Sequence, residues 1–237
     1  MQRDVDIHQI WDGRFYRSGD LVKADTGGCS GCSGCCRGMG TSVVLDPYDI
    51  WRFQTQLGLV FERLLHGFAE LNMQDGLAVP NLCMNGEGAG CVFLDEQDRC
   101  KIHPARPGFC RLFPLGRYYE GTEGDFQYFL QIHQCDHVRT KVRVRKWLDQ
   151  PDLPLYEEYI RHWHAFWVQA REAADADPSG ERRRSISLMI LKTFYLPVWD
   201  ESRPFYEQFE DRLAQAREAL NALTADASPE SPDEAGT

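Results

Sequence analysis

Apolar positions recur at helical spacing in some stretches of this chain and in short irregular bursts in others, and the two kinds of stretch do not mix. Asp46 can cap a helix, Pro47 suits a first turn, and Ile50, Phe53 and Leu57 then share one face, so the spacing predicts a helix that ends at Gly58. A second helix is predicted over 60–72, burying Phe61, Leu64, Leu65, Phe68 and Leu71. From 80 to 135 the rhythm breaks. Cys91-Val92-Phe93-Leu94 and Cys100-Lys101-Ile102 read as two short strands around the turn Asp95–Asp98, and Phe126 to Ile132 reads as a third. Beyond 138 the three-to-four spacing returns, with helices predicted over 138–149, 154–176, 182–196 and 202–223. Tyr156, Ile160, Trp163, Trp167, Ala170 and Ala174 form one stripe, and Phe205, Phe209, Leu213, Ala216, Leu220 and Leu223 form another. Such aromatic stripes are read as core.

The pattern predicts a mainly α protein with an irregular, cysteine-rich metal-cluster region and two or three short β-strands, an α+β arrangement. Three parts follow: a cysteine-cluster metal-binding domain over 1–137, a helical region over 138–223 packing on it, and a tail over 224–237. The tail carries proline, serine, alanine and acids, and is expected to be disordered.

The cysteines sharpen this division. All nine lie between Cys29 and Cys135, and the last 102 residues contain none. The N-terminus carries acids and no apolar run, so no secretory signal is expected and a cytoplasmic location follows. In that compartment thiols stay reduced, and spaced cysteines read as metal ligands or redox groups rather than disulfides. There are 36 acidic and 26 basic side chains, a formal charge of -10, which opposes non-specific nucleic-acid binding. No run of 18 apolar residues occurs, so no membrane span is expected.

The first thiol group is Cys29, Cys32, Cys35 and Cys36, set in a stretch with six glycines in the fourteen positions 27–40. Two-residue gaps let thiolates converge on one centre, and glycines let the backbone come close and aim amides at sulfur. Adjacent Cys35 and Cys36 diverge, which favours two neighbouring sites or one ligand beside a reactive thiol. Cys83, Cys91, Cys100, Cys110 and Cys135 are too far apart for one turn, so the fold must gather them. Three closely spaced thiolates with a remote fourth resemble ferredoxin ligation; four thiolates also suit tetrahedral zinc. The expected cofactor is one or two 4Fe–4S clusters, with zinc as the alternative. Arg106 and Arg111 flank Cys110, where guanidiniums would offset the negative charge of a thiolate-bound centre and donate to sulfur.

Several signals carry less. Asn85 to Gly90 lacks the strand, lysine and helix of a nucleotide loop. A radical-SAM spacing fails because position 39 is methionine. His162 with His164, and His133 with His137, read as surface or packing histidines.

Cys29-x2-Cys32-x2-Cys35-Cys36, then Cys91-Val-Phe-Leu, Cys100-Lys-Ile-His103 and Arg106-Pro-x2-Cys110-Arg111-x-Phe-Pro, together resemble the YkgJ-type CxxCxxCC family over roughly 28–137. That resemblance implies a zinc- or iron-chelating domain. The family includes flagellin lysine N-methylases, so the resemblance also implies methyl transfer onto protein lysine as an alternative activity. Metal handling or redox sensing is a second alternative. The partners implied are metal ions and a protein substrate or redox partner. Two departures are visible: His103 stands where many members have tyrosine, and Asp136 where many have proline. Cys83 resembles an extra cysteine of some members only.

Overall fold

A computed structural model describes residues 7–27, 32–85, 90–132, 135 and 139–225. The chain begins with a helical turn α1 (Ile7–Ile10) and strands β1 (Trp11–Tyr16) and β2 (Leu21–Asp25). Helices α2 (Pro47–Leu57) and α3 (Phe61–Leu64) follow, then a hairpin of β3 (Ala69–Gln74) and β4 (Leu77–Leu82). A one-turn helix α4 (Gly108–Leu112) leads into β5 (Leu115–Tyr119), β6 (Phe126–Gln131) and β7 (Thr140–Arg143). The remainder is helical: α5 (Val144–Leu148), α6 (Leu153–Asp175), α7 (Glu181–Ile190) and α8 (Phe205–Ala225), with a π-helical turn at Leu191–Tyr195.

Helix α2 forms where the sequence places it, because both ends are specified. The Asp46 carboxylate accepts from the Asp49 amide while the Asp49 carboxylate accepts from the Asp46 amide, a reciprocal cap. Pro47 occupies the first turn, and Gly58 ends the helix in the left-handed conformation at φ 66°. Phe126–Gln131 is a strand as expected, and α6 and α8 match their stripes.

The mainly α expectation is corrected. Seven strands lie among the described residues, in three small antiparallel sheets ordered β1–β6–β5, β2–β7 and β3–β4, and the fold is α+β. The assembled metal-cluster region of that expectation is not seen either: among the described residues, no three His, Cys, Asp or Glu side chains stand so as to hold one ion. The helix predicted over 60–72 stops at Leu64, because Asp75 and Gly76 both take positive φ (49° and 81°) and close a hairpin there. Such a pair gives the tight turn that matches strand twist, and Ala69 to Gln74 pair residue for residue with Leu82 to Leu77. Leu65 and Leu71 are exposed rather than buried as a result. Cys91–Leu94 and Cys100–Ile102 make only isolated bridges, Met84 to Cys91 and Leu94 to Cys100. The segment 138–149 splits into β7 and α5.

One apolar core runs through both halves of the chain. Phe166, Phe194 and Phe209 from the helices are wholly buried, and so are Leu45, Ile50, Phe53 and Leu77 from the first half. Each such side chain stabilises the fold by about 1.5–3 kcal/mol. Aromatic pairs reinforce it, with Tyr159 edge-on to Phe209 at 4.6 Å and Tyr48 edge-on to Phe205 at 4.9 Å. A smaller core under the β1–β6–β5 sheet joins Val22, Leu115, Tyr128, Leu130, Val144 and Leu148. Gly116 is required there, because a Cβ would lie 2.3 Å from the Phe129 ring. Among the described residues no helix is long and apolar enough to cross a membrane.

Candidate metal centre

Three stretches without regular structure meet beside α2. The first is the 3-10 turn Gly34–Cys36. Its last carbonyl, on Cys36, accepts from the Cys91 amide at 2.8 Å, and Arg37 bridges to Gly90. The second is the loop from Cys91 to Cys100, folded back at Asp95. The Asp95 carboxylate accepts from the amides of Gln97 at 2.9 Å and Arg99 at 2.8 Å, and Asp98 takes a left-handed conformation at φ 59°. An ion pair between Arg37 and Asp98 ties the first two stretches together. The third runs from Cys100 through His103–Ala105 to α4, which carries Cys110.

These stretches surround a cavity of about 270 Å³ into which Cys32, Cys35, Cys36, Cys91, Cys100 and Cys110 all face. All six thiols are free. The rest of the wall is thioether and apolar, from Met39, Met84, Val43, Leu82, Phe93 and Ile102, with His103, Arg106 and Asp98 among its polar members. Gly34 donates its amide to the Cys32 sulfur at 3.5 Å, as the glycine-rich spacing predicts. Burial pushes the Cys91, Cys100 and Cys110 thiols up, Cys110 most, and the neighbouring sulfurs add to it. Cys35 is pushed up first by its contact with Cys36 and then by burial. Without a cation in the cavity, the field around these sulfurs keeps them protonated. Zinc or iron would reverse that balance, since thiolate is the ligand form.

The other candidates fall elsewhere. Cys83 lies outside the cavity wall; its amide donates to the Phe68 carbonyl at 2.9 Å, and its thiol sits near Cys91 and is pushed up by burial. Cys135 is half-buried and is not part of the cavity wall. Cys29 lies outside the described residues, as do His133, His137 and Asp136. His162 pairs with Glu210 at 2.8 Å on the surface, and His164 stacks on Tyr119 at 3.6 Å, both remote from the sulfurs.

The two arginines part company. Arg106 faces the cavity, donates to His103 Nε2 at 3.0 Å, and keeps a buried Nε–H without a partner among the described residues. Its charge favours the thiolate forms of Cys35 and Cys100. Because an arginine donates only, the His103 nitrogen it meets must carry a lone pair; burial, then Arg106, lowers the His103 pKa in keeping with a neutral ring. Arg111 instead donates to the carbonyls of Asp149 at 3.1 Å and Pro104 at 2.8 Å, away from the sulfurs. Arg52 donates to the carbonyls of Arg106 at 3.3 Å and Pro104. Three guanidiniums thus crowd one loop, and none of them forms a salt bridge with a carboxylate among the described residues. A negative thiolate-bound centre would offset them.

The sequence reading missed the carboxylates below this loop. Asp46 and Asp49 are both buried, and Asp49 accepts from the Gly108 amide at 2.7 Å. Burial raises both carboxyls, and Asp46 raises Asp49 further. In sequence Asp46 reads as a cap, and nothing there signals that Asp49 completes the cap and accepts from Gly108 as well. Met39 and Met84 were likewise invisible as cavity walls, since methionine has no spacing signature.

Residues 28–136 match a family described as "CxxCxxCC: Putative zinc- or iron-chelating domain". No curated protein and no solved structure matches the chain significantly.

Proposed function

Since residues 28–136 belong to the CxxCxxCC family of zinc- or iron-chelating domains, we propose that they bind iron as a thiolate-held iron–sulfur cluster of the 4Fe–4S type in the cavity above α2. The carrying observation is the facing of six thiols, drawn from three separate stretches of chain, into one space. The donor set fits the group, because soft sulfur ligands select zinc, iron–sulfur clusters and monovalent copper over hard cations. Size supports the polynuclear choice. A structural zinc ion sits within ~2.3 Å of each sulfur and leaves no space of its own, whereas this cavity of about 270 Å³ has room for a larger inorganic core.

Cys35, Cys91, Cys100 and Cys110 are the assigned ligands, because all four line the cavity and the sulfurs of Cys35, Cys91 and Cys100 stand close enough to Cys110 to disfavour its charge. Cys32 and Cys36 stand at the same wall and are available to a second centre or to exchange. Arg106 lies where it would donate to cluster sulfur and balance charge. When bound, such a cluster supplies one-electron transfer. The unit runs over 1–137 with the helical region 138–223 packed on it, a division that the concentration of cysteines in the first part supports.

Purification without oxygen, with iron, sulfide and zinc counted per chain, tests the reading. Brown protein with iron and sulfide in equal amounts is expected, and Cys110→Ser loses most of both. Colourless protein carrying stoichiometric zinc and no sulfide overturns it.

A further inference from the structure

We propose that Asp49 is a positioning residue of the metal centre: its carboxylate, shared between the cap of α2 and the first amide of α4, sets where the Cys110 thiol stands in the cavity. The inference rests on the reading of Cys110 as a ligand.

An ordinary capping box closes on its own helix. Here one carboxylate oxygen of Asp49 accepts from the Asp46 amide at 3.2 Å, completing the box, and the other accepts from the Gly108 amide at 2.7 Å. Gly108 is 59 residues further along the chain and begins α4, and Cys110 follows two residues later. Helix α4 has five residues and no side-chain cap of its own. A single helical turn is unstable alone, so its placement must come from outside. Arg52, one turn along α2 on the same face, supplies a second grip through the carbonyls of Pro104 and Arg106. One helix face thus holds the approach to Cys110 at both ends.

Gly108 completes the arrangement. A Cβ there would lie 2.7 Å from the Tyr156 hydroxyl and 3.7 Å from the Asp49 carboxylate, so only glycine brings its amide this close. Capping α2 does not account for this. A cap works on the surface, where a carboxylate keeps its hydration, whereas Asp49 is 2% exposed. Burial of a carboxylate is costly unless hydrogen bonds compensate, and the partner gained by burial is Gly108.

Cobalt(II) added without oxygen to the metal-free full chain is the probe. Thiolate-to-cobalt absorption grows with the number of bound thiolates, so it reports ligand count whether the resident metal is iron or zinc. Asp49→Ala is expected to lose about a quarter of the wild-type intensity, one thiolate of four, as Cys110→Ser does, with helix content unchanged by circular dichroism. Asp49→Asn keeps an acceptor for the Gly108 amide and recovers most of it. Gly108→Ala approaches from the other side and loses the same share, and adding Tyr156→Phe, which removes the crowding oxygen, restores it. Should Asp49→Ala fail to fold, the glycine pair carries the test. Wild-type intensity in folded Asp49→Ala, or in Gly108→Ala, overturns the proposal. If wild-type protein is purified without iron and sulfide while the variants still show these losses, the iron–sulfur reading is overturned and the positioning role stands.

Discussion

Replacing Gln54 by alanine separates the docking of the helices from the building of the metal centre. Gln54 lies on α2 about 140° around the axis from Asp49, at about 100° per residue, and faces the other way. Its amide nitrogen donates to the Trp199 carbonyl at 2.7 Å, and its amide oxygen accepts from the Trp199 amide at 2.9 Å. Both residues are buried, with Trp199 at 1% exposure, so water does not replace what is lost. Two backbone groups left unpaired cost about 1–3 kcal/mol each. Alanine returns a few tenths through helix propensity. The expected loss is therefore about 2–5 kcal/mol in urea unfolding, at unchanged dependence on urea. Gln56→Ala, at an exposed position of the same helix, should change stability by no more than about 0.5 kcal/mol. Metal content per folded chain should match wild type in both. A Gln54→Ala loss below about 0.5 kcal/mol would mean that water reaches Trp199 and the two halves are not locked there; loss of metal from folded Gln54→Ala would mean that the two faces of α2 are not independent.

Burial lowers the His164 pKa from 6.5 to about 4, so the folded chain stays neutral there while the unfolded chain takes up a proton as pH falls through 6.5. Stability should therefore decline between about pH 6.5 and 4, by at most about 3 kcal/mol for a half-buried ring; His164→Phe, which keeps the stack on Tyr119, should flatten that slope, and an unchanged slope would refute the assignment. Arg106→Gln should lower metal retention with little change in the unfolding midpoint of the metal-free chain. Arg111→Met should do the reverse, because it removes the donor to the Asp149 carbonyl and one of the two donors to the Pro104 carbonyl, at a cost of about 1–2 kcal/mol. Gly116→Ala should destabilise by about 1–3 kcal/mol through the clash with Phe129, and Phe129→Leu in the same chain should recover part of that in thermal unfolding.

The parts of the fold legible in the sequence were those with local determinants. Asp46, Pro47 and Gly58 specify α2 within thirteen residues, and the aromatic stripes of α6 and α8 are long enough to define their faces without knowledge of the partner. The β3–β4 hairpin was also written locally, in Asp75-Gly76, but Phe61, Leu64, Leu65, Phe68 and Leu71 imitate a helical stripe and hide it. Strands β1, β2 and β5 were hidden for a different reason. β1 and β2 pair with β6 and β7 far along the chain, β5 pairs with the neighbouring β6, and the short runs of all three show no clear alternation. In the cavity, spacing brought forward Cys32, Cys35 and Cys36, and the motif around Cys110 brought forward Arg106. Nothing local separates Arg106, which faces the sulfurs, from Arg111, which binds two carbonyls, because Arg106 leaves the turn His103–Ala105 and Arg111 lies in α4, and α2 grips both segments.

That dependence explains why cysteine spacing alone underdetermines a site of this kind. Thiols at fixed intervals say which sulfurs can approach one another in a turn, but Cys110 is delivered by a helix too short to place itself. Its position comes from Asp49 and Arg52 on one face of α2, while Tyr48 and Gln54 on the remaining surface bind Tyr159 and Trp199 of the helical half. The two sets of bonds leave α2 in different directions, so one can be cut in a folded chain while the other still holds. The helices after Leu153 therefore hold α2 from one side, while Asp49 and Arg52 carry its placement to Cys110 from the other.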